Sequence, residues 1–346
     1  MIKEYQRILS VLKKEYDEKA SQTYNSNILL IDGLNNYIRN WVVNTDVNQD
    51  GVHVGGITGF LRSMTKMIEM FKPTRIIITF DGKNGSTRRR AYFPEYKMHR
   101  GHGMKLNKRF DFINEEDETK QKVKEFARLY EYLKQLPVTL VMIDNIEADD
   151  VIGYICQEFA ENEDVRNINI ISTDKDFFQL ITEKVTVYNP VKKKLYNNES
   201  VLSEYNIHPK NFILFKSIIG DKSDNIPGVA GIQIKTVNKN FPQLREETIY
   251  NIDSLADKTI FPNCADTVYK KLADNLEQIK RNYRLNVLAK SNISTQSAIK
   301  IIDRFKYIPD KKTYFGINAL SLQDRLNFDT VSYFEKSFTY INAFCK

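Results

Sequence analysis

The chain has no run of about 18 consecutive apolar residues, so no transmembrane helix is expected. Its first residues, MIKEYQRILSVLKKEYDEK, also lack the unbroken apolar core of a signal peptide. Ile8, Leu9, Leu12 and Tyr16 recur there at helical spacing instead, which predicts an N-terminal helical extension over residues 1–26. A cytoplasmic protein with no membrane partner is the expectation. Cysteine is scarce: Cys156, Cys264 and Cys345 show no metal-type spacing and read as reduced thiols rather than a disulfide framework. GxGxxG, GxxxxGK[ST] and HExxH are all missing, which removes the dinucleotide, P-loop and zinc-protease readings. DKSDNIPG resembles the start of a calcium loop, but Ile226 takes the glycine position and Ile232 the terminal glutamate position. That reading is rejected.

What is present is positive charge and clustered acid. The 346 residues carry a net charge of +7, which favours a polyanionic partner, and they suffice for a large domain and a smaller one. The distribution is more telling than the total. Between Arg88 and Arg109 stand Arg88, Arg89, Arg90, Lys97, Arg100, Lys105, Lys108 and Arg109, interleaved with Tyr92, Phe93, Tyr96, His99 and His102. Glu95 is the single acid in that stretch. Cations alternating with rings suit phosphates and stacked bases together, although a solvated basic loop would look the same.

Four apolar runs, 27–32, 75–81, 138–144 and 168–174, read as buried strands, with helical patterns over 58–71 and 147–159 between them. The alternation predicts an α/β fold with a mainly parallel central sheet flanked by helices. A fifth strand is expected at 185–188. The α/β unit is placed at 27–200, interrupted by an insertion at about 84–125 that is basic first and acidic later. A connection of that length is usually functional or disordered. From 201 to 346 the β-runs fade into helical patterns.

The four strands run into Asp32, Asp81, Asp144 and Asp174, and Asp144 reads as a turn residue. Ligands of an open parallel sheet bind beyond the carboxyl ends of its strands, so these acids would share a rim. Glu147, Asp149 and Asp150 follow in EADD, Asp176 in STDKD, and Asp221 and Asp224 in GDKSDNIPG. Each has an ordinary explanation as a turn residue or helix cap. Together they would repel one another unless cations neutralised them. Hard carboxylate oxygens suit Mg²⁺ or Mn²⁺, and two such ions can serve both the attacking and the leaving oxygen of a phosphoryl displacement.

Four blocks, LLIDG (29–33), ITFDG (78–82), EADDVIG (147–153) with STDKDFFQL (172–180), and GDKSDNIPGVAGI (220–232), resemble the flap endonuclease superfamily of 5′ nucleases. The bacterial and phage branch, with the phage ribonuclease H enzymes and the 5′-exonuclease domain of DNA polymerase I, is most similar. The resemblance implies a PIN-like 5′-nuclease fold with a helical arch in the insertion and a helix–three-turn–helix at about 212–240. It implies two Mg²⁺ ions, with Mn²⁺ able to substitute: Asp32, Asp81, Glu147 and Asp149 around the first, and Asp150, Asp174, Asp176, Asp221 and Asp224 at the second. FPEYKMHR (93–100) is similar to the family's YPxYKxxR signature, which implies that Lys97 and Arg100 contact the scissile phosphate and that Tyr96 offers a ring to the terminal base. Arg88, Arg89, Arg90, Lys105, Lys108 and Arg109 would then grip a single strand, and Lys222 and Lys235 the adjoining duplex. The implied partners are DNA and RNA–DNA hybrids with a free 5′ end or flap. The terminal segments are candidate docking points for a single-strand-binding protein or sliding clamp. The implied setting is a bacterial cell, phage-infected cells included. A potassium ion in the helix–three-turn–helix is also implied, but Gln233 in GIQIKTV stands where the family has a glycine that lets backbone approach phosphate.

Two other classes compete. A DNA-binding protein with a decayed site would have lost metal ligands, and every matched carboxylate is present. A single-strand ribonuclease of the PIN type would be much shorter and lack GDKSDNIPG. A nuclease unit of a longer polymerase also fits.

Overall fold

The computed structural model describes residues 23–98, 106–326 and 328–346; the expected N-terminal helix lies outside them up to residue 22, and 23–26 form a turn. Five strands form the parallel part of one sheet: β1 (Asn27–Asp32), β2 (Arg75–Asp81), β3 (Thr139–Ile143), β4 (Asn167–Ile171) and β5 (Val185–Asn189). A short antiparallel strand, β6 (Lys194–Tyr196), closes one edge, giving the order β3-β2-β1-β4-β5-β6. The Ile- and Leu-rich runs make strands because both sheet faces are covered. Ile28 and Leu30 point into one core with Val151 and Ile155. Leu29 and Ile31 point the other way, among Tyr37, Trp41 and Leu129. That alternation is the pleat of a strand.

Helices α1 (Gly33–Val43), α2 (Gly55–Phe71) and α4 (Glu115–Lys134) pack into the core on this second face. The short α3 (Thr87–Tyr92) precedes α4. On the opposite face lies α5 (Ala148–Phe159), followed by α6 (Asn198–Tyr205), α7 (Phe212–Ile219) and α8 (Ile234–Asn240). A two-residue β-pair, Gly220–Asp221 with Ile226–Pro227, links α7 to α8. The C-terminal helices run from α9 (Asp266–Asp274) and α10 (Leu276–Asn286) to α11 (Thr295–Lys306), α12 (Phe315–Gln323) and α13 (Phe328–Asn342). One apolar core runs from Ile28 through Phe215 to Ile301, so it crosses the boundary expected at 200 without a break.

The acidic half of the insertion is the first turn of α4, where Asn114 caps the helix and four acids face the positive end of the helix dipole. α4 then buries Leu129, Tyr132 and Leu133 as an ordinary core helix. The strand expected to reach 174 stops at Ile171, because Ser172 to Asp174 leave the sheet to start a 3₁₀ helix, Lys175–Leu180. Among the described residues no helix is long and apolar enough to cross a membrane.

Candidate active site

β1 lies between β2 and β4, so the chain switches sides of the sheet at their carboxyl ends, where open α/β sheets bind ligands. A cavity of 1210 Å³ opens there, lined by Asp32, Asp81, Asp149 and Asp174 together with Lys97. Asp32 ends β1 and Asp81 ends β2, while Asp149 belongs to the first turn of α5.

Helix N-termini aim three of these carboxylates. Asp32 accepts from the Asn35 backbone N–H at 3.1 Å and from the Ser172 hydroxyl at 3.1 Å. Asp81 accepts from the Ala148 N–H at 2.7 Å, at the head of α5. Asp174 accepts from the Asp176 N–H at 2.8 Å. Capping and a place on the rim therefore coexist in the same side chains. Gly82 follows Asp81 because a β-carbon there would sit 1.8 Å from the Ile143 carbonyl oxygen.

The cluster is electrostatically loaded. Burial pushes Asp32 up to about 7, against the hydrogen bonds from Asn35 and Ser172, and Asp174 and Asp81 add repulsion. Burial also drives Asp149 well above the usual carboxylate range, with Lys97 opposing and Asp32, Asp174 and Glu147 reinforcing. Carboxylates that disfavour one another's charge in this way are stabilised by an added cation. Their donor atoms are hard oxygens, the kind that Mg²⁺ and Mn²⁺ prefer.

The other five carboxylates are treated differently. Consecutive positions point in different directions around a helical turn. Asp149 turns to the cavity, whereas Glu147 and Asp150 turn to the Arg89 guanidinium, 2.6 Å from Asp150. Burial would raise Glu147, but Arg89 and Lys97 outweigh it and hold the group below its ordinary value. Lys97 Nζ is 2.7 Å from Glu147. Asp176 and Asp221 share the buried Lys216 ammonium, 2.8 Å from Asp221. Burial pushes Asp176 up to about 7 even so, while Asp221 is held at about 2, Lys216 overcoming the opposing effect of burial. Asp224 is buried, and its backbone carbonyl accepts from the Lys97 N–H at 3.0 Å. In this arrangement no three acidic, histidine or cysteine side chains among the described residues close on a single ion position. Internal cations hold four of the acids instead: Arg89 and Lys97 pair with Glu147, Arg89 with Asp150, and Lys216 with Asp176 and Asp221.

Two expected nucleic-acid contacts need correction. Arg89 is only 2% exposed; it serves the carboxylates from within and also donates to the Leu285 carbonyl at 2.7 Å. Tyr96 is also 2% exposed; its hydroxyl reaches Glu147 at 3.3 Å and its ring lies under the Lys97 ammonium at 4.8 Å. Its ring is packed against protein rather than offered to a base. Arg88 is half-buried, 3.3 Å from Asp150. Arg90, Lys108, Arg109, Lys222 and Lys235 are exposed. Arg100 and Lys105 lie outside the described residues. Lys97 adopts a left-handed backbone, φ 55°, which is uncommon outside glycine and concentrates at functional sites. Gln233 is exposed with φ −126°, a conformation that makes no demand for glycine. Lys216 escaped the sequence reading, although a lone cation inside the apolar run FILFKSII is a visible signal of a buried partner.

A family model described as the 5′-3′ exonuclease N-terminal resolvase-like domain matches residues 27–206. The chain is also 32% identical over 268 residues to a 5′-3′ exonuclease of Buchnera aphidicola, covering 75% of this chain and 86% of that protein. The chain belongs to the 5′-3′ exonuclease family. A Bacillus subtilis 5′-3′ exonuclease is 31% identical, with 62% of this chain and 69% of that protein covered. DNA polymerase I of the same organism is 31% identical, but only 24% of its length is covered. The fold recurs in the bacteriophage T5 5′-exonuclease with bound zinc ions, at a TM-score of 0.60 and 20% identity over 91% of this chain and 99% of that one. It recurs too in a T5 flap endonuclease complex with DNA and metal ions, at a TM-score of 0.59 and 18% identity over 88% of this chain and 99% of that one.

Proposed function

We propose that this chain is a divalent-metal-dependent 5′ nuclease that cleaves DNA and RNA–DNA hybrids at a free 5′ end or flap. It would act as a 5′→3′ exonuclease and structure-specific endonuclease, removing primers or flaps during replication or repair in the bacterial cytoplasm. The observation that carries this reading is the cavity at the switch point of the sheet, where four mutually repelling aspartates meet Lys97 in a member of the 5′-3′ exonuclease family. Asp32, Asp81, Asp149 and Asp174 would hold Mg²⁺ or Mn²⁺, with Glu147, Asp150, Asp176, Asp221 and Asp224 as further ligands once the ions compete with Arg89, Lys97 and Lys216. Bound ions supply an activated water and neutralise phosphate charge. Lys97, fixed by its left-handed backbone, places an ammonium beside the same carboxylates, where it can meet the phosphoryl group. Exposed Arg90, Lys108 and Arg109 suit the single strand, and Lys222 and Lys235 the duplex. A potassium ion in the 220–231 turn, Arg100 on the phosphate, and docking of a single-strand-binding protein or sliding clamp rest on the family resemblance alone.

The test is digestion of a 5′-labelled flap, a nicked duplex and an RNA–DNA hybrid, with Mg²⁺ and with EDTA. Short 5′-labelled products that appear only with Mg²⁺ are expected. Tight binding without cleavage would favour an inactive DNA-binding protein, and cleavage of single-stranded RNA alone a ribonuclease of the PIN type. Lys97→Ala should lower the single-turnover rate about 10²-fold with little change in affinity, as for a lost transition-state contact. If rate and affinity fall together, Lys97 only positions the strand.

A further inference from the structure

The chain re-enters the described structure at Leu106, which lines the cavity facing the four aspartates. The next residue, Asn107, is completely buried. Its amide donates to the Trp41 carbonyl at 2.7 Å and the Asn44 carbonyl at 2.8 Å, both at the end of α1. Its side-chain oxygen accepts from the Arg109 and Phe110 N–H groups at 2.9 and 3.2 Å. The backbone N–H groups of Leu106 and Asn107 donate to the two carboxylate oxygens of Glu118 on α4, at 3.2 and 2.7 Å. All the hydrogen-bonding capacity of the Asn107 side chain is thus used, and two helices are tied to one short segment.

Beside Asn107 lies a second buried pair, His53 and Glu125, joined at 3.0 Å with side chains 0% and 1% exposed. The other ring nitrogen of His53 is 3.0 Å from the Asn44 carbonyl. Both ring nitrogens thus face oxygen atoms, and Nε2 also lies 3.4 Å from the Asn107 amide nitrogen, which joins the pair to Asn107. Glu125 also accepts from the Ile57 N–H at 2.8 Å, which ties the head of α2 to α4. Trp41, Phe110 and Phe112 enclose the imidazole, with ring centroids 4.3, 4.8 and 5.4 Å away. None of these residues reaches the carboxylate cavity, and core packing alone would not require so dense a polar network.

We propose that Asn107 is a positioning residue: the His53–Glu125 pair and Glu118 clamp it, and the clamp holds Leu106 and the head of α4 as the cavity wall across which the 5′ strand lies. The role rests on the nuclease reading above, but the clamp itself does not. Asn107→Asp tests it with minimal change of shape, because a carboxylate oxygen would face the Trp41 and Asn44 carbonyls to which the amide now donates. Hydrogen exchange is followed at the Leu106 to Phe112 amides and across the sheet, alongside single-turnover cleavage of a 5′ flap and affinity for the duplex. Exchange at 106–112 should quicken at least about tenfold, the effect of one lost buried hydrogen bond, while sheet amides stay protected. The flap-cleavage rate should fall by a similar factor, with duplex affinity within about twofold. Unchanged exchange would overturn the clamp. Faster exchange with an unchanged rate would overturn its positioning role. If Asn107→Asp loosens the whole sheet, His53→Gln must give the local pattern, or the proposal fails. A wild-type chain that cuts no flap would refute the nuclease reading while the exchange data still judged the clamp.

Discussion

Asp149→Asn and Asp174→Asn should each abolish cleavage, with rate losses beyond the roughly 10–100-fold typical of an outer-shell metal partner. Both side chains line the cavity; Asp174 adds repulsion on Asp32 and on Asp149, and burial already disfavours charge on Asp149. An amide is a poor ligand for Mg²⁺, so the loss should fall on chemistry. Affinity for DNA should hold or rise, because each change removes a negative charge facing phosphate. Single-turnover rates and binding isotherms on one flap substrate check both halves. Near-normal turnover of either variant at saturating Mg²⁺ would remove that carboxylate from the metal site.

Arg89→Met should produce the largest change in stability. The guanidinium is buried and holds Glu147 and Asp150, which are themselves 2% and 5% exposed. Removing one partner of such a group leaves uncompensated buried charge, at a cost of about 3–5 kcal/mol. Lys97 and Arg88 remain close to the stranded acids, which sets the expectation toward the lower end. Urea denaturation in EDTA should show the loss, and Mg²⁺ should restore part of it if ions can take over the neutralising role. A variant as stable as wild type would mean that these acids are already compensated elsewhere.

The rim was readable because β1 and β2 are covered on both faces, so their Ile and Leu runs are unbroken and the aspartates that end them stand out. Asp174 was read as a strand end but is a helix cap beyond the sheet; a Ser-Thr-Asp step can close a strand or open a turn, and local pattern does not decide between them. β6 is not legible because its three residues, Lys194 to Tyr196, are too short a run to show a two-residue period. The first turn of α4 reads as solvated from its acids alone, yet Glu118 within it is buried, and Leu129 and Leu133 further along join the core. The role of Arg89 was hidden for a different reason. In a run of three arginines, nothing local separates the one that turns inward from those that meet solvent, since the distinction is made by Glu147 and Asp150, about sixty positions later. Tyr96 was misjudged in the same way. Lys216 and His53 show the converse, where a single polar residue between apolar neighbours signals a buried partner without naming it.

The account stands on the claim that the cavity carboxylates hold divalent ions, and direct Mn²⁺ binding tests it without reference to cleavage. Titration of the wild-type chain with Mn²⁺, followed by the loss of its free-ion electron paramagnetic resonance signal, should show saturable binding of two ions. Asp149→Asn should lose at least one of them, while Asp144→Asn, a change in the turn beyond the rim, should keep both. Absence of saturable binding in the wild type, or identical binding in Asp149→Asn, would contradict it.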